Sequence, residues 1–207
     1  VFIDADPDYW QMDVAKLDNF ISNGCHWHNG ELANIATGRR VKAILPVHIL
    51  GHPCDMNIIK EVARKYSLTI IEDATESLGA KYQGDMVGHL GDIACFSFNG
   101  NKTITTGGGG MVVTDRWEWA ERAIYLTTQA KDDPLEYIHG EIGYNYRLTN
   151  VQAALGCAQM EQLERYIEAK LRIAGAYSDG LGEVAGIITM MEAPWASSVS
   201  WLNTVLV

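Results

Sequence analysis

The feature that most restricts the fold of this chain is the alternation of short apolar runs with segments of helical periodicity. Apolar and β-branched residues predominate in 41–47 and 68–72, whereas between them, in 55–66, Ile58, Ile59, Val62 and Ala63 fall on one helical face. Strands that alternate with helices in this way are typical of layered α/β domains. We therefore expect an α/β fold.

The same patterns predict the individual elements along the chain. We expect strands at 1–4, 41–47, 68–72, 93–98, 111–114 and 201–207. Helices are predicted at 13–21, 55–66 and 116–126, with Asp55 as the N-cap of the second. A loop follows at 137–147, and a long helix runs from Thr149 to about Tyr177. Glycines at 180–186 end that helix, and a short β segment comes next.

Composition excludes several classes of function. Sixteen basic and 26 acidic residues give a net charge of −10 without a basic cluster, which argues against a nucleic-acid or anionic-membrane partner. We find no signal peptide and no apolar run near eighteen residues, so we expect neither export nor a membrane span. Both ends of the chain have the residue pattern of a strand, without a lead-in before 1–4 or a tail after 201–207. We interpret the chain as an internal piece of a longer protein.

The four cysteines are far apart and form no C-x-x-C pair. The run CHWH (25–28) lacks a second ligand pair, so we interpret it as a structural loop and predict no metal. Unpaired, reduced thiols fit a cytoplasmic protein best.

Polar side chains fall at the ends of three predicted strands. His48, Asp73 and Ser97 each lie at or near such an end. Because ligands bind beyond the carboxyl ends of the strands in open α/β sheets, these residues are candidates for one site.

Lys102 adds the chemistry that this site needs. It lies 29 residues after Asp73 and just before the loop 103–110, which ends in four glycines. A lysine amine, a carboxylate and a serine in this order suit pyridoxal phosphate (PLP), which needs an amine for its Schiff base, a partner for its ring nitrogen and donors for its phosphate. A nucleotide-binding P-loop is poorly supported, because its lysine follows the glycines. The glycines indicate close backbone approach or unusual dihedral angles, although a flexible turn is the alternative.

Each carboxylate near Asp73 also has a structural interpretation. Asp73 either holds the ring nitrogen or caps the next helix. Glu72 should point to the opposite face of the strand and is expected to be structural. Glu76 either reaches the cofactor's ring hydroxyl or is a solvated glutamate, and Thr75 is a candidate for contact with the ring face.

The remaining candidates are equally open from the residues alone. Ser97 is either a phosphate donor or a core serine bonded to the backbone. His48 is either a substrate contact or a satisfied loop histidine. Asn145 and Arg147 either meet phosphate oxygens, with Arg147 as a candidate substrate contact, or only lead into the helix that follows.

Several runs together resemble the PLP-dependent sugar-nucleotide aminotransferases of the DegT/StrS type. They are EDATESLGA (72–80), GDIACFSF (91–98), KTITTGGGG (102–110), GYNYRL (143–148) and VQAA (151–154). The resemblance covers almost the whole chain. It implies the fold type I PLP-transferase architecture: part of a three-layer αβα large domain at 1–148, a linking helix at 149–180, and the start of a small α+β domain at 181–207.

The resemblance also implies a role for each matching residue. Lys102 would carry PLP, Asp73 would pair with its pyridine nitrogen, and Glu76 would replace the family's usual Gln or His near the ring hydroxyl. Ser97 would bind the cofactor phosphate. Asn145 would do so from the neighbouring subunit, which implies a homodimer with shared active sites.

The motifs look closest to the branch that acts on UDP-4-keto-6-deoxy-N-acetylhexosamine in legionaminic acid, bacillosamine and related surface-glycan pathways, with glutamate as amino donor. The alternatives are a PLP-dependent sugar dehydratase, in which a histidine replaces the lysine, a non-catalytic regulator or scaffold, and a plain α/β binding module. The family's phosphate turn and ring-stacking aromatic, which precede the matching region, are not in this sequence. We therefore do not expect this piece alone to be catalytically competent.

Overall fold

A computed structural model describes residues 1–133 and 135–207. The helices are α1 (Val14–Gly24), α2 (Met56–Lys65), α3 (Trp117–Thr127), α4 (Asn150–Met160) and α5 (Leu163–Leu181). The strands are β1 (Cys25–His28), β2 (Glu31–Asn34), β3 (Arg40–Val41), β4 (Ala43–Ile44), β5 (Thr69–Asp73), β6 (Lys81–Tyr82), β7 (Asp85–Met86), β8 (Ile93–Ser97), β9 (Gly110–Val113), β10 (Lys131–Asp133), β11 (Ile138–His139), β12 (Ile188–Thr189), β13 (Ala196–Ser197) and β14 (Val205–Leu206).

A four-stranded sheet with the order β4-β5-β8-β9 organises the chain. Strands β4, β5 and β8 are parallel, and β9 returns antiparallel to β8. The register places Asp73 beside Cys95, and Ser97 beside Gly110. Smaller antiparallel sheets surround it, in the orders β1-β2-β3, β13-β6-β7, β10-β11 and β12-β14. The mixture of parallel strands and helices confirms the predicted α/β class.

Helix α2 connects β4 to β5 and buries one face against them. Met56, Ile59, Val62 and Ala63 recur at helical spacing and are all buried, in one core cluster with residues of α1. The helix begins where the sequence predicts, with Asp55 at the N-cap position, but the Asp55 side chain accepts no capping hydrogen bond. Its carboxylate instead accepts a 2.7 Å hydrogen bond from the Tyr82 hydroxyl. Burial, together with this bond, raises the pKa of Tyr82 to about 12.

Several predicted strands and one predicted loop are wrong in their extent. Residues 1–4 form no strand, since their backbone has no neighbouring strand among the described residues and Ala5 makes only an isolated bridge to Met12. The predicted strand 201–207 is reduced to β14, and 41–47 is divided into the end of β3 and β4. The run 25–28, expected as a loop, is β1 and pairs with β2.

The predicted helix from Thr149 is two helices. Thr149 forms a capping box with Gln152, so the start is as expected. The helical path changes at Glu161 and Gln162, whose ψ angles of −18° and 3° depart from the usual value near −42°. Helix α5 then continues to Leu181, beyond the predicted end. At the end of α4, the Gln159 side chain accepts a 2.9 Å hydrogen bond from the Thr105 N–H and ties this helix to the glycine loop.

The glycine loop has the close approaches that its sequence predicts. Gly107 and Gly109 have φ angles of 78° and 87°, in the region that favours glycine. A Cβ atom at Gly110 would collide with the carbonyl oxygen of Phe96 on β8, whereas Gly108 is surrounded by open space. The four glycines are therefore not equivalent.

We expect Gly110→Ala to destabilise the protein by about 1–3 kcal/mol, because the new methyl group overpacks against backbone that cannot move aside. Gly108→Ala is the matched control and should stay within about 0.5 kcal/mol of the wild type. Urea unfolding of both variants measures the difference. Equal stabilities would contradict this account of the loop.

Candidate active site

The candidate site lies at the carboxyl ends of β5 and β8. Asp73 pairs with Cys95, and Ser97 is two residues further along β8, so alternation places the three side chains on one face of the sheet. Burial raises the pKa of the Cys95 thiol, and the nearby negative charge of Asp73 raises it further. Asp73 and Ser97, both predicted at strand ends, therefore share one face of the sheet.

The backbone holds Asp73 from both sides. Its N–H donates to Pro46 at 2.9 Å, its carbonyl accepts from His48 at 3.0 Å, and the next N–H, of Ala74, donates to Cys95. Its carboxylate accepts a 3.1 Å bond from the Thr75 N–H. Part of its hydrogen-bonding capacity thus closes a turn, as the capping alternative expected, and the rest is available to a ligand.

Lys102 is partly enclosed by two residues from distant segments. Its Nζ lies 3.8 Å from a carboxylate oxygen of Glu76 and 4.0 Å from the centre of the Trp201 ring, and only 13% of its side chain is exposed. The other oxygen of Glu76 accepts a 2.7 Å hydrogen bond from the Leu50 N–H. The structure therefore brings Lys102 and Glu76 together. It adds Trp201, which sequence reasoning missed.

Ser97 is half-buried at the end of β8. Its Oγ accepts a 3.3 Å hydrogen bond from the Asn99 N–H, within the turn that leads to Lys102. This is the backbone-bonded serine that the sequence allowed, and the hydroxyl proton remains free to donate to a ligand.

His48 is not placed as a substrate contact. Its imidazole is completely buried, and its Nε2 lies 3.0 Å from a carboxylate oxygen of Glu72. The N–H of Cys54 donates to the Nδ1 of His48 at 3.1 Å, so the ring accepts at Nδ1 and donates to Glu72 through Nε2. Both ring nitrogens are satisfied inside the protein. We therefore withdraw His48 as a ligand contact in favour of the satisfied loop histidine.

Glu72 points to the opposite face of the sheet from Asp73 and has a structural environment, as expected. Its carboxylate is fully buried and accepts hydrogen bonds from the N–H groups of Gly88 and Gly91 as well as from His48. Burial disfavours the charged form, but these hydrogen bonds outweigh it and hold the pKa of Glu72 below its ordinary value of 4.5. Glu72 thus anchors β5, the strand that presents Asp73.

Asn145 and Arg147 are not brought to the lysine by any contact within the described part of the chain. Both are exposed, and Asn145 forms a backbone bridge to Thr128. Their assignment as phosphate ligands therefore stays a prediction. No group of three potential ligands that could hold a metal ion occurs among residues 1–133 and 135–207.

The chemistry of the donor set fits PLP. A half-buried lysine, a carboxylate at a strand end and a hydroxyl on the same face as that carboxylate match the amine, ring-nitrogen partner and phosphate donor that the cofactor requires. Phosphate binding needs further donors than Ser97 alone, and Thr75, half-buried beside Asp73, is a candidate neighbour of the ring.

Comparison with known proteins agrees with this interpretation. The model of the DegT/DnrJ/EryC1/StrS aminotransferase family matches residues 1–207, and the chain belongs to that family. It is 40% identical to GDP-perosamine synthase of Caulobacter vibrioides, over 99% of this chain and 51% of that protein. It is 39% identical to the putative pyridoxal phosphate-dependent aminotransferase EpsN of Bacillus subtilis, over 99% of this chain and 50% of that protein.

The solved structures agree on the fold. The structure of DesV from S. venezuelae, in complex with a ketimine intermediate, matches with a TM-score of 0.85 and 32% identity, covering 99% of this chain and 51% of DesV. The predicted fold class is therefore confirmed, and the family together with EpsN supports PLP as the cofactor. The chain spans about half the length of these relatives.

We expect Glu72→Gln to lower the free energy of unfolding by about 2–4 kcal/mol near neutral pH, because an amide N–H₂ would then face N–H donors in a buried site. Since the folded-state pKa of Glu72 is lowered, the stability it contributes is present above about pH 4.5 and is lost as the pH falls through the folded value. The gap between the wild type and the variant should therefore narrow below about pH 4.5.

Urea unfolding as a function of pH measures this gap, with the exposed Glu61→Gln on α2 as the control. A Glu72→Gln variant as stable as the control at neutral pH would show that the buried carboxylate does not anchor β5.

Proposed function

We propose that the protein containing this chain is a PLP-dependent aminotransferase that moves an amino group from glutamate to the keto carbon of a nucleotide-linked deoxy sugar. The observation that carries the proposal is Lys102, which is enclosed between Glu76 and Trp201. It follows Ser97 by five residues, and Ser97 lies on the same face of the sheet as Asp73. Membership of the aminotransferase family supports it.

Each residue has a separate task in this proposal. Lys102 holds the cofactor covalently and, once its amine is free, moves protons. Asp73 keeps the pyridine nitrogen protonated, Ser97 binds the phosphate, and Glu76 lies near the ring hydroxyl. PLP, when bound, supplies the electron-withdrawing ring that this exchange requires.

The identity of the sugar substrate is a second part of the proposal. We infer a 4-keto sugar, with UDP-4-keto-6-deoxy-N-acetylhexosamine as the preferred compound, from the sequence motifs around 46–48, 72–79 and 98–102. One relative is named GDP-perosamine synthase, which supports a nucleotide sugar as the substrate class and leaves the nucleotide open. We propose that this reaction takes place in the cytoplasm and that its amino-sugar product is a precursor of a surface glycan.

We also propose a homodimer with shared sites. Helix α4 has no buried residue although it is rich in apolar ones, and Val151 is 81% exposed. Apolar surface of this kind marks an interaction site. The exposed Asn145, five residues before α4 begins, is then free to enter the site of the partner. None of the helices in residues 1–133 and 135–207 is long and apolar enough to cross a membrane.

The alternatives keep the fold and change the chemistry. A sugar dehydratase of this type uses a histidine in place of the lysine, so the enclosed Lys102 favours the aminotransferase. A regulator or scaffold with the same fold requires no cofactor, and a cofactor-free wild-type protein would favour it.

The first test is the covalent link itself, in protein expressed from the complete reading frame. We expect the wild type to show a visible PLP absorption band that moves to the pyridoxamine form with glutamate. Borohydride reduction followed by peptide mass spectrometry should place the pyridoxyl group on Lys102. Lys102→Ala should lose the link and the response to glutamate, whereas the exposed Lys81→Ala should retain both. A label on another lysine would overturn the assignment.

Shared sites predict complementation. Lys102→Ala and Asn145→Ala should each be impaired alone, since one removes the attachment residue and the other a phosphate donor. When the two variants are mixed and allowed to exchange subunits, one site of each mixed dimer is intact and activity should recover. Turnover of the mixture, compared with each variant alone, measures this. Absence of recovery after verified exchange would place Asn145 in its own subunit's site or outside both.

A further inference from the structure

Trp201 takes part in a closed ring of contacts around the lysine. Its indole face lies against the Lys102 ammonium, and Lys102 faces Glu76. Glu76 accepts from the Leu50 N–H, and the Leu50 carbonyl accepts a 2.9 Å hydrogen bond from the Trp201 N–H, which closes the ring. Four residues from four separate segments thus hold one another.

Trp201 makes two further hydrogen bonds and is not a mobile surface residue. Trp201 is 6% exposed. Its Nε1–H donates to the carbonyl of Asn101, next to the lysine, and its own carbonyl accepts from the Lys170 ammonium on α5, each at 2.9 Å. The orientation of the ring relative to Lys102 is therefore set by bonds to the lysine loop and to α5.

The backbone at Leu50 and Gly51, which contacts the Trp201 segment, has an unusual geometry. Leu50 has a φ of 59°, a left-handed conformation that costs a leucine about 1–2 kcal/mol. A Cβ atom on the adjacent Gly51 would lie 2.7 Å from the Val199 side chain and 3.0 Å from the Trp201 nitrogen, so only glycine fits there. Strain of this kind persists where the surrounding contacts compensate for it, and it concentrates at functional sites.

We propose that Trp201 is a positioning residue for Lys102. Its indole face and the Glu76 carboxylate together form the seat that the amine occupies whenever it is not covalently attached to the cofactor. The inference rests on the proposed function, since it assumes that Lys102 is the attachment residue. The sequence patterns predict no functional role for any residue near 201.

The seat matters because the same amine both attaches the cofactor and, once it is free, moves protons. An unattached lysine side chain with four rotatable bonds would otherwise sample many positions, at a cost in entropy each time it returns. A ring face and a carboxylate hold the ammonium by cation–π attraction and by charge. The amine thereby stays at the reacting centre for proton transfer.

The test compares two substitutions in protein expressed from the complete reading frame. Trp201→Phe keeps an aromatic face and removes the N–H, whereas Trp201→Leu removes the face. Val199→Ala is the matched control, because it loosens the same segment at a buried position that has no part in the ring of contacts. Trp117→Leu, at an exposed tryptophan at the start of α3, controls for loss of an indole elsewhere.

The first readout needs no cofactor. In PLP-free protein, an amine-acylating reagent modifies Lys102 at a rate that peptide mass spectrometry reports. We expect Trp201→Leu to raise that rate about five- to thirtyfold, the range that a desolvated cation–π contact supports. Trp201→Phe should remain within about threefold of the wild type, as should both controls.

The second readout uses the PLP-loaded protein and glutamate. Trp201→Leu should lower the maximal rate of the half-reaction while leaving the KM for glutamate nearly unchanged, because the lysine and not the substrate has lost its position. Trp201→Phe should restore most of the rate.

Three results would overturn the proposal: a Lys102 acylation rate unchanged in Trp201→Leu, equal effects of Trp201→Phe and Trp201→Leu, or an equal effect of Val199→Ala. If the wild type attaches PLP at Lys102 and any of these is observed, the positioning role fails and the proposed function stands. If the wild type attaches no PLP at Lys102, the proposed function fails, and this inference with it.

Discussion

The geometry of the candidate site depends on the buried carboxylate of Glu72. Removing a charged carboxylate from water is costly unless hydrogen bonds replace its hydration, and here His48, Gly88 and Gly91 supply them. These donors come from two segments outside β5, the connection after β4 and the loop between β7 and β8, so they fix the end of β5 relative to both. Because side chains alternate along a strand, fixing Glu72 on one face also fixes Asp73 on the other.

His48 connects this anchor to the site through its backbone as well as its side chain. Its N–H donates to the Asp73 carbonyl while its ring donates to Glu72. Two residues later Leu50 donates to Glu76, and its carbonyl receives the Trp201 N–H. A short connection after β4 therefore links the buried anchor, the carboxylate beside Lys102 and the segment that covers the lysine. The buried His48 and the enclosed Lys102 are therefore parts of one network.

The sequence predicts those parts of the site that local patterns determine. Asp73 and Ser97 follow apolar strands, and parallel neighbours bring strand ends together, so their shared face follows from topology. Lys102 can be predicted because PLP requires an amine. The glycines after it can be predicted as a segment of close backbone approach or unusual dihedral angles. Trp201 had no such signal, because it meets Asn101 across 100 residues of sequence in a segment predicted only as a strand. His48 was ambiguous because burial, which decides between ligand contact and structural role, is a tertiary property.

Errors in the predicted elements have the same origin. A run of apolar residues such as 1–4 indicates strand propensity, but a strand forms only where a neighbour supplies its hydrogen bonds. The periodicity from Thr149 likewise cannot reveal that Glu161 and Gln162 redirect the helix, since their side chains are ordinary helix formers.

The apolar surface of α4 and the position of Asn145 bear on the proposed phosphate site. Ser97 alone provides too few donors for a doubly charged phosphate, which takes several hydrogen bonds when buried. Asn145 and Arg147 carry suitable donors, yet both are exposed, and no contact in the described residues brings either to Lys102. An exposed apolar helix next to exposed side-chain donors is the arrangement expected under the proposed homodimer, in which a second subunit covers α4 and receives those donors. Burial of that helix and completion of the phosphate site would then be the same event.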